Sequence, residues 1–260
     1  MSPAQPKLTP ARRQQLLAFV ASLGLDPRAI DGPGRDGLAV IDKALSHSSA
    51  GLAINHEQLE FLGDAVLRLA ASEFLRLEQP QLPVGRHAAL RAQLVSDRWL
   101  AELAEHCQIA RVWHLGAMAA GDAAGRSTLL AETAEALIGA IYLAWGGPQG
   151  GLEPVQRWLA PHWRISLGRY LADPDLHNWK SALQEWSQGQ GLGLPHYSCC
   201  ETSQRHGDPE RFNCRVSVGT GAGDAPTAAL AGEGKGPSRR AAEQAAAAAA
   251  LEQLRRAPAA

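Results

Sequence analysis

Apolar residues recur at three- and four-residue spacings in QQLLAFVASLGL, LEFLGDAVLRLAASEFL and ALRAQLVSDRWLAELAEHC. This is the period of helices buried along one side. Strand-like alternation is absent from residues 1 to about 145. The breaks DGPGRDG, EQPQLPVG and GAMAAGDAAG separate the runs with Gly and Pro. A further helix is expected over about 153–171, with Pro161 ending or kinking it. LADPDLHN at 171–178 reads as a linker, and beyond it the period changes. WKSALQEWSQGQG at 179–191 predicts a short amphipathic helix closed by glycines. PHYSCCETS and RFNCRVSVG alternate as strands, and a shorter strand, TAALAGEG, follows a Gly-rich gap. SRRAAEQAAAAAALEQLRR predicts a closing helix with Ser238 as N-cap. Its alanines suit close packing on a three-stranded sheet. The pattern predicts two domains: an all-α domain over 8–171, a linker over 172–177, and a small α+β domain of order α-β-β-β-α over 178–258.

Composition narrows this little. The 260 residues carry a formal net charge of -1. Residues 1–177 hold 16 Lys and Arg against 18 Asp and Glu, and residues 178–260 hold 9 against 8. Any basic surface is therefore local, which counts mildly against a nucleic-acid partner. The four cysteines, Cys107, Cys199, Cys200 and Cys214, include no C-x2-C pair, so a structural zinc site is not expected. They read as free thiols in a reducing compartment, with Cys199 and Cys200 on opposite faces of a strand. There is no run of about 18 apolar residues and no apolar stretch in MSPAQPKLTPARRQ, so neither a membrane helix nor a signal peptide is expected. A cytoplasmic protein, with no membrane partner, follows as the expectation.

Two short segments carry candidate chemistry. In HEQLEFLGDAVL, Glu57, Glu60 and Asp64 fall within one arc of a helix, with Leu59, Leu62, Val66 and Leu69 expected on the opposite side. Any surface helix can show this division. The second segment, LLAETAEALIGAIYLA, is apolar nearly all round and so should be buried, yet it holds Glu132 and Glu135 on one face. No Lys or Arg lies within a turn of them. Buried, unpaired carboxylates must protonate, find a partner or bind a cation. Gly139 continues the same face and would admit another helix at close range. Together the two faces offer four or five carboxylates to one cavity, a donor set for Mg2+ or Mn2+. A ferritin-like di-iron site would need Glu-x-x-His pairs, and neither pair here contains histidine.

HEQLEFLGDAVL resembles the signature helix of the ribonuclease III family, N-E-R-L-E-F-L-G-D. ALSHSSA at 44–50 is similar to the family's A-L-T-H-R-S, and LLAETAEALIGAIYL to its L-A-D-x-x-E-A-L-I-G-A-I-Y-L. KSALQEW and GEGKGPSRRAAEQAA resemble its C-terminal double-stranded-RNA-binding domain. The matches run in order over roughly residues 40–258. The resemblance implies a homodimeric, Mg2+-dependent endonuclease for double-stranded RNA, with Mn2+ as a possible substitute. Its products would carry 5′-phosphate and 3′-hydroxyl ends, and precursors of ribosomal RNA would be among its substrates. It carries metal ligation onto Glu60, Asp64, Glu132 and Glu135, an accessory acid onto Glu57, and a dimer-interface aromatic onto Phe61, which could equally be a core phenylalanine. Asp64, Glu135 and Glu57 are the expected catalytic acids.

Three departures stand out. Glu132 replaces the family's Asp, one methylene longer; His56 replaces the signature Asn; Ser48 replaces a basic residue. Mg2+ demands near-ideal octahedral geometry. A misplacement of about 1 Å can cost on the order of a hundredfold in rate. Glu132 is the feature that favours an alternative, a non-cleaving RNA-binding regulator.

In the second domain, Gln184 and Glu185 match the family's minor-groove positions. Lys235, Ser238, Arg239 and Arg240 gather where the last helix begins, a phosphate site by charge and helix N-terminus. RNA duplexes are read through the minor groove by 2′-hydroxyl and phosphate contacts. The family's Gly-Pro-x-His is replaced by Arg205-His206-Gly207-Asp208-Pro209, with His206 expected in the histidine's place. Asp208 and Glu210 should weaken the local field, giving modest, salt-sensitive affinity.

Overall fold

A computed structural model describes residues 8–32, 35–52, 55–173, 178–205, 207–219 and 230–256. Of the linker expected at 172–177, residues 174–177 lie outside the described residues, as does His206. The chain divides into two compact units, Met1–Gly168 and Arg169–Ala260.

The first unit is built from α1 (Pro10–Ser22), α2 (Gly37–Ala44), α3 (Glu57–Glu78), α4 (Val84–Leu94), α5 (Asp97–His106), α6 (Ala117–Gly121) and α7 (Arg126–Ala144). α8 (Leu152–Ala172) follows. One departure from an all-helical reading is a two-residue antiparallel ribbon, β1 (Asp31–Gly32) with β2 (Arg35–Asp36), inside the DGPGRDG break. Two residues are too few for alternation to register in a sequence.

α7 forms the centre, packed against α2, α3 and α5. Ten of its residues, from Leu130 to Ile141, are buried, which accounts for its nearly all-round apolarity. Among the described residues it is long and apolar enough to cross a membrane, although no unbroken apolar run marks it in the sequence. α3 and α7 cross backbone to backbone. A Cβ on Gly63 would lie 1.9 Å from the Glu135 carbonyl oxygen, and one on Gly139 would lie 2.2 Å from that of Leu59. Gly139 thus admits the close approach expected of it.

The crossing also corrects the apolar face of α3. Leu59, Gly63, Val66, Leu67, Ala70, Ala71, Phe74 and Leu75 are buried, whereas Leu69 is 51% exposed. Leu69 lies six residues from Gly63, about 120° around the helix from the point of closest approach. Phe61 is 84% exposed, so it is no core phenylalanine.

Pro161 does not end α8, which runs unbroken to Ala172. Trp158 and Trp163 are buried on either side of it. Trp163 Nε1 donates to the Leu94 carbonyl at 3.1 Å, and Ser166 Oγ accepts from Trp99 Nε1 at 2.9 Å. Two large apolar side chains at roughly 1.5–3 kcal/mol each offset the roughly 3 kcal/mol of an interior proline.

The second unit comprises α9 (Trp179–Gly189), β3 (His196–Glu201), β4 (Phe212–Val218), β5 (Leu230–Gly236) and α10 (Arg239–Arg256), the expected α-β-β-β-α order. The strands form an antiparallel sheet in the order β3-β4-β5. β5 runs two residues past the TAALAGEG segment, whose residues 227–229 lie outside the described set. Small residues face one another across the sheet and α10. A Cβ on Gly232 would lie 2.3 Å from the Ala246 carbonyl oxygen, one on Gly234 2.2 Å from the Ala246 nitrogen, and one on Gly236 2.7 Å from that of Ala242. Leu183, Cys214, Val216, Val218 and the buried alanines of α10 complete the core. Ser238 caps α10 by accepting the Ala241 N–H at 3.2 Å.

The cysteines depart from the sequence reading. Cys199 and Cys214 face each other in register on β3 and β4 and are joined as a disulfide; Cys107 and Cys200 are free. Spacing along the chain does not reveal which strand residues stand opposite.

Candidate active site

The crossing at Gly63 and Gly139 sets the acidic arc of α3 against that of α7. Glu135 is the most perturbed acid. Burial, then Asp64, Glu60 and Asp97, push its carboxyl up to about 7, with Arg68 opposing. Glu60 is raised as well, first by burial, then by Glu132, with His47 opposing. The acids thus fall into two overlapping groups. Glu135 stands with Asp64 and Asp97, and Glu132 stands with Glu57 and two histidines. Glu60 feels both.

Among the described residues, one cation reaches the first group. Arg68, one turn along α3 from Asp64, donates Nε to its two oxygens at 2.8 and 3.0 Å. The arginine is 56% exposed, and an exposed pair of this kind contributes about 0–1 kcal/mol, so it yields readily to a stronger partner.

The second group lines a cleft of about 490 Å³ that includes His47, Ser48, His56, Glu57, Glu60 and Glu132. His47 Nδ1 accepts the Ser49 N–H at 3.1 Å, which leaves the ring proton on Nε2, 3.3 Å from Glu132 Oε2. His56 precedes α3, and its N–H donates to the Ser46 carbonyl at 3.0 Å. Its ring stacks on that of His47 at 4.5 Å, and its Nε2 lies 3.3 Å from Glu60 Oε2. Burial, then His47, lower the His56 pKa.

The structure therefore brings together all five acids singled out in the sequence. It adds four neighbours with no sequence-assigned role: His47, His56, Arg68 and Asp97. His47 and His56 stand in the segments that carry the family resemblance. Asp97 follows the N-cap Ser96 and reads from sequence only as a first-turn acid.

A divalent cation suits this donor set. Hard carboxylate oxygens predominate, and a carboxyl pushed to about 7 by its neighbours is relieved when positive charge arrives. Glu60 and Asp64 on α3, with Glu132 and Glu135 on α7, offer it carboxylate oxygens.

In the second unit, Gln184 and Glu185 are exposed on α9, and Lys235, Ser238, Arg239 and Arg240 are exposed around the start of α10. Most of this charge is already paired. Lys235 Nζ donates to Glu210 Oε2 at 2.8 Å, and Arg239 Nε lies 3.4 Å from Glu243 Oε1. Lys180 shares Glu243 at 2.5 Å. Arg240 makes no ion pair among the described residues.

Residues 39–159 match the family described as ribonuclease-III-like, and residues 179–254 match the double-stranded RNA binding motif. The Ribonuclease 3 of Prochlorococcus marinus is 47% identical over 217 residues, covering 84% of this chain and 82% of that protein. The protein named Ribonuclease 3 2 in a Nostoc species is 40% identical over 238 residues, covering 92% and 91%. The Ribonuclease 3 of Gloeobacter violaceus is 38% identical over 257 residues, covering 97% and 96%. With two helices crossing on glycine to gather five acids, an α-β-β-β-α unit later in the chain, and relatives matched over most of their length, the chain belongs to the ribonuclease III family.

Proposed function

We propose that this protein is a divalent-metal-dependent endoribonuclease that hydrolyses phosphodiester bonds in double-stranded RNA. The observation that carries the reading is Glu135, a half-buried carboxyl pushed to about 7 by Asp64, Glu60 and Asp97 and placed by a backbone-tight helix crossing.

Glu60, Asp64, Glu132 and Glu135 would hold the cation, with Mg2+ the expected ion and Mn2+ a substitute. When bound, such an ion supplies Lewis-acid charge at the phosphate and lowers the pKa of a bound water. Glu135, held near 7 without the ion, would be ionised as its ligand. Arg68 exchanges Asp64 for solvent or RNA phosphate, and exposed Glu57 stands at the edge of the cleft as an accessory acid. The products carry 5′-phosphate and 3′-hydroxyl ends, and structured precursors of ribosomal RNA are the expected substrates.

Catalysis belongs to residues 8–171 and duplex binding to 178–258, joined by 172–177. Gln184 and Glu185 address the minor groove, together with His206. Lys235, Ser238, Arg239 and Arg240 address phosphates. Two copies pair through the α3 face that carries exposed Phe61, and the protein works in the cytoplasm.

The test is cleavage of a long perfect RNA duplex with Mg2+ and with Mn2+. Metal-dependent cutting abolished by Glu135→Ala is expected. Faster cutting by Glu132→Asp would mark the longer side chain as a handicap. Duplex binding without cutting under either metal replaces the nuclease with an RNA-binding regulator.

A further inference from the structure

Ser48, His56 and Glu132, the three departures from the family pattern, come from different parts of the sequence. All three line one cleft. One ring nitrogen of His47, one of His56 and a carboxylate oxygen of Glu132 lie within 4.8 Å of one another. His56 is only 2% exposed, and its Nδ1 has no hydrogen-bond partner among the described residues. A buried polar atom left unsatisfied is costly. Its retention here, stacked on a second histidine and beside two acids, needs a reason beyond packing.

We propose that His47, His56 and Glu132 form a cation site of their own, selective for a borderline divalent metal of the Zn2+ class over Mg2+. Two imidazoles and one carboxylate make a three-ligand set that leaves a coordination position open. Imidazole nitrogen favours Zn2+ and its neighbours in the transition series, whereas Mg2+ prefers carboxylate, carbonyl and water oxygen. The extra methylene of Glu132 lets its carboxylate reach the rings: it stands 3.3 Å from His47 Nε2. Ligation through His47 Nε2 needs the proton moved to Nδ1, which then exchanges the Ser49 N–H that it accepts in the metal-free ring for Ser49 Oγ, 2.8 Å away, as the acceptor of its proton. Such an outer partner for a ligating histidine is the common arrangement. Ligation through the unpartnered Nδ1 of His56 leaves its proton on Nε2, and Glu60, 3.3 Å from that nitrogen, is placed to accept it.

The consequence for cutting rests on the nuclease reading. Glu132 is shared, so Zn2+ held by the histidines withdraws one ligand from the Mg2+ set and inhibits. Metal binding itself does not depend on that reading.

The experiment uses the full chain carrying Cys200→Ser, which removes the exposed thiol as a competing ligand. Zn2+ binding is titrated by calorimetry in the presence of excess Mg2+, and Co2+ is added separately as an optical probe. One Zn2+ per chain and visible Co2+ absorption bands are expected. His56→Asn and His47→Gln, each checked for native helicity by circular dichroism, should each weaken Zn2+ binding at least tenfold. Asp64→Asn should keep Zn2+ binding while losing duplex cutting, which separates this site from the nuclease reading. Parent protein that takes no Zn2+ against Mg2+, or folded His56→Asn and His47→Gln variants that bind as the parent does, overturns the proposal.

Discussion

The two units handle charge in opposite ways. In the first, acids accumulate on facing helices with one exposed arginine beside them, and burial raises Glu135 and Glu60. In the second, Lys180, Lys235 and Arg239 each meet Glu210 or Glu243, and the balance stays near neutral. Concentrated, uncompensated charge is what a cation site needs, and it is tolerable because the helices carrying it are locked by Gly63 and Gly139. Paired, solvated charge suits a surface that must engage and release a polyanion. Each unit nonetheless relies on one packing device, glycine set against backbone. It lies between two helices in the first unit and between β5 and α10 in the second.

The contrast can be broken at its strongest point first. Glu135→Gln removes an acid from the uncompensated cluster. Duplex cutting should fall by on the order of a hundredfold or more, while duplex binding by the second unit stays at the parental level in a gel-shift titration. Equal losses of both would mean that the two units do not divide the work.

Next in size are the glycines. Gly63→Ala drives a methyl into the Glu135 backbone, and Gly234→Ala drives one into the Ala245–Ala246 backbone. Overpacking costs roughly 1–3 kcal/mol. Each variant should lower the denaturation midpoint of its own unit and leave the other unit's transition in place, followed by tryptophan fluorescence and by circular dichroism. A single merged shift would contradict independent cores.

The pH dependence is smaller. Glu135 sits near 7 in the folded metal-free protein, against an ordinary value of 4.5. Between these values the native state holds a proton that the unfolded chain releases, so this group makes stability fall as pH rises from about 4.5 to about 7. Melts of metal-free protein should show that decline, and Glu135→Gln should flatten it. Mg2+, which favours the ionised carboxylate, should raise the melting temperature more at pH 7.5 than at pH 5.5.

The smallest effect concerns the paired surface. Glu210→Gln releases Lys235, so duplex affinity should rise and the slope of log affinity against log salt should steepen by about 1. Unchanged salt dependence would place Lys235 off the RNA path.

Much of this was legible in the sequence because it is local. Periods of 3.6 and 2 identified the helices and strands, and Ser238 stood where a cap was needed. The spacing of Glu57, Glu60 and Asp64, and of Glu132 and Glu135, put each set on one face of its helix. Of the two outcomes expected at Pro161, an end to the helix does not occur, because local propensity says nothing of Trp158 and Trp163 burying the turns around it. The apolar face of α3 was misjudged at Leu69 because the point of contact with α7 sets that face, and period alone does not locate it.

By itself the sequence determined the two-unit order, the helical and strand segments, and which acids share a face, since these depend on residues a few positions apart. Only the tertiary structure decided that Cys199 stands opposite Cys214, that Phe61 faces solvent, and that His47 and His56 converge on Glu132. Those pairings depend on strand register and helix crossing between segments 15 to 85 residues apart, where the chain's period carries no information and packing alone selects the neighbour.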